Sequence, residues 1–430
     1  MSRISTLIKL LAMFSIGLVF TNCGGRPQPP MPSDAITINV GMAGPDGEML
    51  PRLTKCNVNV YIENSASMDG YVKGVTEFEQ SIYSYINDIK LSDFCASLNL
   101  NYINSRILKQ PDDVQDFISK LEPTSFRLKG GDRSTTDISN LFQKIMSEQG
   151  KDDISILISD FVFSPGRKDA SEYLTNQQIG IKSHFVTRLK DDSNYAAILY
   201  RLVSKFEGKY YNKFDQPTQI KADRPFFIWL LGNKDQLQRL ISEVKKDNMK
   251  GRGVDHTFCI SKMSSSTPYG ILPMPRIGTF QIDPLNVKTG VVKAKMDKKA
   301  TGAKFVLSFG VNYSAFLLED SYLTDPENYE VNNKAYNVEI VKNSNPASPY
   351  THIIKLKLDA SQPVISRGNI VVSLLKKSAP WAEEYTDYDG VDIKADGAMD
   401  KTFGLATLVD GVYDAYKTDK NYASFTISIK

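Results

Sequence analysis

The chain has 430 residues, a formal net charge of +3, and 41% hydrophobic against 23% charged residues. It is too long for one ordinary domain and too apolar for wholesale disorder, so two or three folded units are expected. The near balance of 52 Lys plus Arg with 49 Asp plus Glu excludes a general polyanion-binding surface, and nucleic acid is not an expected partner. Four Cys and three His are too few for a dense disulfide scaffold or a zinc site built from Cys and His.

In chain order, Arg3 and Lys9 come first, with an apolar run over residues 10–20. At ~1.5 Å per residue this run falls short of a ~30 Å bilayer core, so it reads as a secretory signal peptide. Leu18-Val19-Phe20-Thr21-Asn22-Cys23-Gly24-Gly25 resembles the processing site of bacterial lipoproteins, with Phe20 and Asn22 departing from its commonest form. The resemblance implies that residues 1–22 are removed and that Cys23 becomes a lipid-modified N-terminus. The protein would then sit in the bacterial cell envelope, anchored through Cys23, and the lack of Asp directly after Cys23 is compatible with the outer membrane. Acyl chains contribute ~0.8 kcal/mol per buried CH₂ to such an anchor. Pro27, Pro29, Pro30 and Pro32 keep the following chain extended, and residues 23–52 read as a tether.

Residues 53–250 alternate strands with helices. Strands are expected at 56–63, 98–108, 154–160, 181–186 and 226–231, and helices at 75–89, 114–121, 138–145 and 236–246. That order predicts an α/β unit built on a doubly wound, mostly parallel sheet covered on both faces. Residues 251–268 read as a linker. Residues 269–430 read as a β-rich, sandwich-like domain with strands at 304–311, 336–342, 351–358, 369–375 and 423–429. One helix, at 402–416, is expected to pack across a sheet edge there. Cys56, Cys95 and Cys259 leave two readings open: a Cys56–Cys95 disulfide in an exported protein, or three buried small apolar side chains. Trp381, within the aromatic and acidic stretch 380–389, is either an interface anchor or a plug of the sandwich core.

Three separated segments carry the chemistry. Glu63-Asn64-Ser65-Ala66-Ser67-Met68 ends the first strand. Gly130-Gly131-Asp132-Arg133-Ser134-Thr135-Thr136-Asp137-Ile138 opens a helix. Leu157-Ile158-Ser159-Asp160-Phe161 ends a later strand. In this order they resemble the von Willebrand factor A (vWA) family, whose metal-ion-dependent adhesion site joins an Asp-x-Ser-x-Ser loop, a Thr and a distant Asp. The resemblance covers residues 53–250. It implies that Ser65 and Ser67 supply two metal-binding hydroxyls, Thr136 (or its neighbour Thr135) a third, and Asp160 the distant acid, while Glu63 stands where the family has Asp. Hydroxyl and carboxylate oxygens at strand carboxyl ends suit Mg²⁺ or Mn²⁺. The extra methylene of Glu63 leaves open direct coordination, a weaker site, or hydroxyls oriented without metal. Without a metal, Ser65 and Ser67 would cap the next helical turn.

His184, His256 and His352 lie in no triad context, and neither a nucleophile elbow nor a P-loop is present. The expectation is therefore a non-enzymatic, membrane-anchored binding or scaffolding protein that takes a protein partner through a cation-dependent face. A metal-dependent hydrolase, or a structural envelope protein with a degenerate metal-free site, remain the alternatives.

Overall fold

Alternation of apolar and polar side chains makes residues 56–63 a strand whose Val58, Val60 and Ile62 are fully buried. The computed structural model describes residues 54–430 apart from 112, 135, 136, 167, 168 and 265. The signal segment, Cys23 and the tether lie outside the described residues.

The first sheet contains β1 (Cys56–Glu63), β2 (Cys95–Ile103), β3 (Ile107–Gln110), β4 (Ile154–Ser159), β5 (Tyr195–Tyr211), β6 (Pro217–Asn233) and β7 (Val254–Ile260), in the order β3-β2-β1-β4-β6-β5-β7. β1 runs parallel to β2 and β4, and every other neighbouring pair is antiparallel. The sheet is thus mixed, where a mostly parallel one was expected. Two local features account for the difference. Residues 181–186 belong to a helix, α5 (Ala170–Asp191), in which Leu174, Ile181, Phe185 and Leu189 share one buried face. β5 and β6 form a long hairpin closed at Asn212, whose Oδ1 accepts from the backbone N–H of Phe214 and of Gln216, both at 3.0 Å. A connection that short forces an antiparallel pair. β7, the far edge strand, falls inside the stretch read as a linker, so the sheet continues to Ile260.

Helices cover the sheet on two sides. α1 (Glu77–Leu91), α2 (Val114–Ser119) and α3 (Pro123–Leu128) share an apolar cluster with Val58, Val60 and Ile156. α4 (Ile138–Glu148) and α5 (Ala170–Asp191) share the other cluster with Leu157 and Trp229. α6 (Lys234–Glu243) follows β6, packs on β5 and β6, and joins the same apolar cluster as α1. Caps fix where several begin: Thr76 accepts from Glu79 N–H, Asp137 from Asn140 N–H and Asn233 from Asp235 N–H, each worth ~1 kcal/mol.

Beyond Ile260, β8 (Tyr269–Ile277), β9 (Thr279–Ile282), β10 (Gly290–Lys295), β11 (Val306–Val311), β12 (Tyr329–Val331), β13 (Tyr336–Lys342), β14 (His352–Leu358), β15 (Gly368–Leu375) and β18 (Asn421–Ile429) form two sheets, β12-β15-β18-β10-β9 and β13-β14-β11-β8. Phe425 of β18 meets Tyr269 of β8 and Phe309 of β11 at ring-centroid distances of 5.1 and 6.0 Å, so the sheets face each other across an aromatic core. α7 (Asp320–Thr324) lies in a loop, and α8 (Pro380–Glu384), a short pair of β16 (Thr386–Asp387) with β17 (Thr402–Phe403), and α9 (Leu405–Ala415) precede β18.

α9 lies on α5 rather than across an edge of the β-rich part. Gly411 makes the close approach possible, because a Cβ there would stand 2.9 Å from Gln178 O and 3.1 Å from Ile181 Cβ. Its buried side chains are too numerous for an edge position and need a helical partner. One apolar cluster accordingly runs from Phe142 and Trp229 to Phe309 and Phe425, and Leu53–Lys430 is one compact unit. Trp381 donates from Nε1 to Thr257 O at 3.2 Å and stacks on His256, so it covers the β7 edge and not the sandwich core. Cys56 and Cys95 stand opposite each other in the β1/β2 register as free thiols, and Cys259 is a buried free thiol. Among the described residues no helix is long and apolar enough to cross a membrane.

Candidate cation site at the carboxyl ends of β1 and β4

β1 and β4 are parallel neighbours with Ile62 opposite Ile158, so both strands end at the same level. Glu63 and Ser159 are the next residues, and the Ser159 hydroxyl donates to Glu63 Oε2. Ser159 Oγ also accepts from Phe161 N–H at 2.8 Å. The backbone then turns sharply, with Phe161 at φ 52°, a left-handed conformation uncommon outside glycine. That turn lets Asp160 Oδ1 accept from Val162 N–H at 3.1 Å.

On the β1 side, Ser65 precedes a short 3₁₀ turn, Ala66–Gly70, but its hydroxyl makes no capping bond. It meets the Ser67 hydroxyl at 2.9 Å instead, and Ser67 lies close enough to Asp160 to favour its charged form. The capping alternative therefore fails for Ser65. Glu63, Ser65, Ser67 and Asp160 come together in one cluster and are only 0–5% exposed. Thr136 and its alternative Thr135 lie outside the described residues.

The loop before them is tied to the same turn. Arg133 O accepts from Ala66 N–H at 3.1 Å, while its guanidinium donates to Asn64 O at 2.5 Å, to Ser65 O at 3.1 Å and to Asp69. Asn104 Nδ2 bridges Asn64 Oδ1 and Gly130 O, both at 2.9 Å. Gly131, at φ 78°, leaves room for this: a Cβ there would stand 2.1 Å from Asn104 Oδ1.

Burial, and then the charge of Glu63, push the Asp160 carboxyl from 3.8 up to about 7. The Val162 N–H, the Ser67 hydroxyl and the nearby Arg224 guanidinium oppose the shift without cancelling it. Arg224 is itself fully buried and spends Nη1 on the carbonyls of Ala398, Met399 and Lys401 at 3.2, 2.7 and 2.8 Å. The buried Tyr71 phenol is raised too, by burial first and by Asp160's charge second. The cluster is thus short of positive charge, and its donors are two carboxylates and two hydroxyls. Such a donor set fits a hard divalent cation, which would reverse the penalty on ionising Asp160. Among the described residues no three His, Cys, Asp or Glu side chains converge on a metal-sized space.

Neither a protein-family model nor a curated protein nor a solved structure matches the chain. The assignment of this site rests on its own geometry and on the three sequence segments.

Sequence reasoning missed Ser159, Arg133 and Arg224. Ser159 had a signal, since it adjoins Asp160 at a strand end. Arg224 had none, because its carbonyl partners lie more than 170 residues away.

Proposed function

We propose that the protein is a non-enzymatic binding or scaffolding module, tethered to the bacterial outer membrane through lipidated Cys23, that engages a protein partner at the carboxyl ends of β1 and β4. In this reading Mg²⁺ or Mn²⁺ is held by Ser65, Ser67 and Asp160 with Glu63, and by Thr136 as the vWA resemblance implies. The observation that carries it is the convergence of two buried acids and two hydroxyls on one strand-end rim, where burial and the charge of Glu63 push the Asp160 carboxyl up to about 7.

The bound ion would supply a Lewis-acidic contact for an acidic oxygen of the partner. The chain's residues do the rest. Ser159 holds the Glu63 carboxylate, Arg133 fixes the Ser65 turn, and Asp160 gives up its proton as the cation enters. Beside the cluster a groove of ≈ 520 Å³ is lined by Ala66, Asp69, Arg127, Arg133, Lys209 and Tyr211, a polar rim of the kind that flanks protein interfaces.

A second reading, a metal-free structural protein, has one observation in its favour: Ser65 bonds Ser67, Ser159 bonds Glu63, and Asp160 accepts from Val162 N–H, without any ion. Capture of partners from detergent-solubilised membranes separates the two. The first reading expects capture that EDTA abolishes, that Mn²⁺ restores, and that is lost in Ser65→Ala/Ser67→Ala. Capture indifferent to both EDTA and the double substitution would favour the second.

A further inference from the structure

At the other end of the same strands, the first sheet carries a feature that the cation cluster does not use. β1 and β2 alternate apolar side chains with asparagine. Val58, Val60 and Leu100 point into the core, so Asn57, Asn59, Ser97, Asn99 and Asn101 share the opposite face. Asparagine is depleted in strands because its side chain competes for the backbone and adds little packing. Asn101 is buried and donates to Val60 O at 3.1 Å, but Asn57, Asn59 and Asn99 stay open to solvent in the sheet's interior and call for a reason other than folding.

The register sets Asn57 opposite Ser97 and Asn59 opposite Asn99. Ser97 Oγ donates to Asn57 Oδ1 at 2.7 Å, Asn99 Nδ2 to Asn59 Oδ1 at 2.9 Å, and Asn57 Nδ2 to Asp153 Oδ1 at 2.9 Å. The amides therefore form a held ladder. α4 covers the carboxyl end of this face, where Tyr61 and Ile103 join its apolar cluster, and its last residue, Glu148, reaches the rim at the amino end. Towards the amino end the face opens as a groove of ≈ 500 Å³, lined among others by Asn57, Asn59, Asn99, Lys109, Glu148 and Asp153. That volume lies within the ~300–1,000 Å³ of small-molecule sites.

We propose that this groove is a binding site for a neutral oligosaccharide. Each amide offers two donors and two acceptor positions, and the ladder consumes only part of them. What remains is a row of mixed donors and acceptors, fixed in place before any ligand arrives. Sugar hydroxyls, each both donor and acceptor, match such a row. Glu148 and Asp153 add carboxylate acceptors for paired hydroxyls, and two acids against the single Lys109 leave the lining net negative, which disfavours phosphate or nucleic acid. An extended peptide is a poorer match, because strand-type recognition takes alternate side chains into pockets, and this floor is a flat amide ladder. The full length of β4 separates Asp153 from Asp160, so the site is independent of the proposed cation and of the partner-binding reading.

The test is calorimetric titration of the full-length protein in detergent and EDTA with chitotriose, cellotriose, maltotriose and mannotriose. At least one trisaccharide is expected to bind saturably. Asn59→Ala/Asn99→Ala should weaken it at least tenfold, and Asn99→Arg, which places a long side chain in the groove from an exposed position, should abolish it. Thermal melts of both variants should match wild type. Failure of all four sugars to bind, or wild-type affinity in both variants, would overturn the proposal.

Discussion

In cation-free protein at pH 8, replacing Asp160 with Asn raises the free energy of unfolding by ~2–4 kcal/mol. The reason is the position of the carboxyl: buried at the end of β4, beside Glu63, it is pushed from 3.8 up to about 7. Between those values the folded chain holds more protons than the unfolded one, so stability falls as pH rises through that window. Below about pH 4 the penalty is absent, and above about pH 7 it is complete. Asparagine keeps an oxygen to accept from Val162 N–H but carries no charge to bury. Urea unfolding in EDTA at pH 5 and pH 8 checks this. Wild type should lose stability between the two, and the variant should lose much less of it. The loss is shared with Glu63, since closely interacting acids titrate as a pair. A variant less stable than wild type at pH 8 would contradict the account.

The second large effect is expected at Arg224. Its guanidinium is buried, lies over the Tyr210 ring at 4.9 Å, and satisfies the carbonyls of Ala398, Met399 and Lys401. These bonds fasten the segment before β17 onto the first sheet. Arg224→Met keeps most of the bulk but leaves three carbonyls without their donor, at a cost of ~3–5 kcal/mol. It also removes the cation whose field lowers the Asp160 titration. Two readouts should therefore move together: the urea midpoint falls, and the pH window over which stability declines shifts upward. A loss below ~1 kcal/mol, as at an exposed site, would mean that the arginine carries no such role.

Much of this arrangement was legible in the sequence where the signal is local. The hydroxyl-rich turn after β1 and the acid after β4 each end an apolar run, and their shared level follows once the two strands are neighbours. The late helix read at 402–416 forms at Leu405–Ala415. Three features escaped, two of them because they are decided at a distance. Residues 181–186 are a short apolar run, and such a run reads equally as a strand or a helix turn; the spacing of Leu174 and Leu189 on one α5 face decides it. β6 contains Arg224 and Pro225, which argue against an interior strand, yet Pro225 pairs with Val203 and Arg224 finds its carbonyls in the C-terminal part. The return of residues 379–416 onto the α/β layer likewise has no local signature. It follows from the close approach at Gly411 and the side-chain bonds of Arg201 and Arg224.

The most direct measurement is calorimetric titration of Mg²⁺ and Mn²⁺ into wild type and Asp160→Ala at pH 7, in two buffers of different ionisation enthalpy. The account predicts one saturable site in wild type, proton release on binding as Asp160 ionises, and no saturable heat in the variant. Identical traces for the two proteins would contradict it.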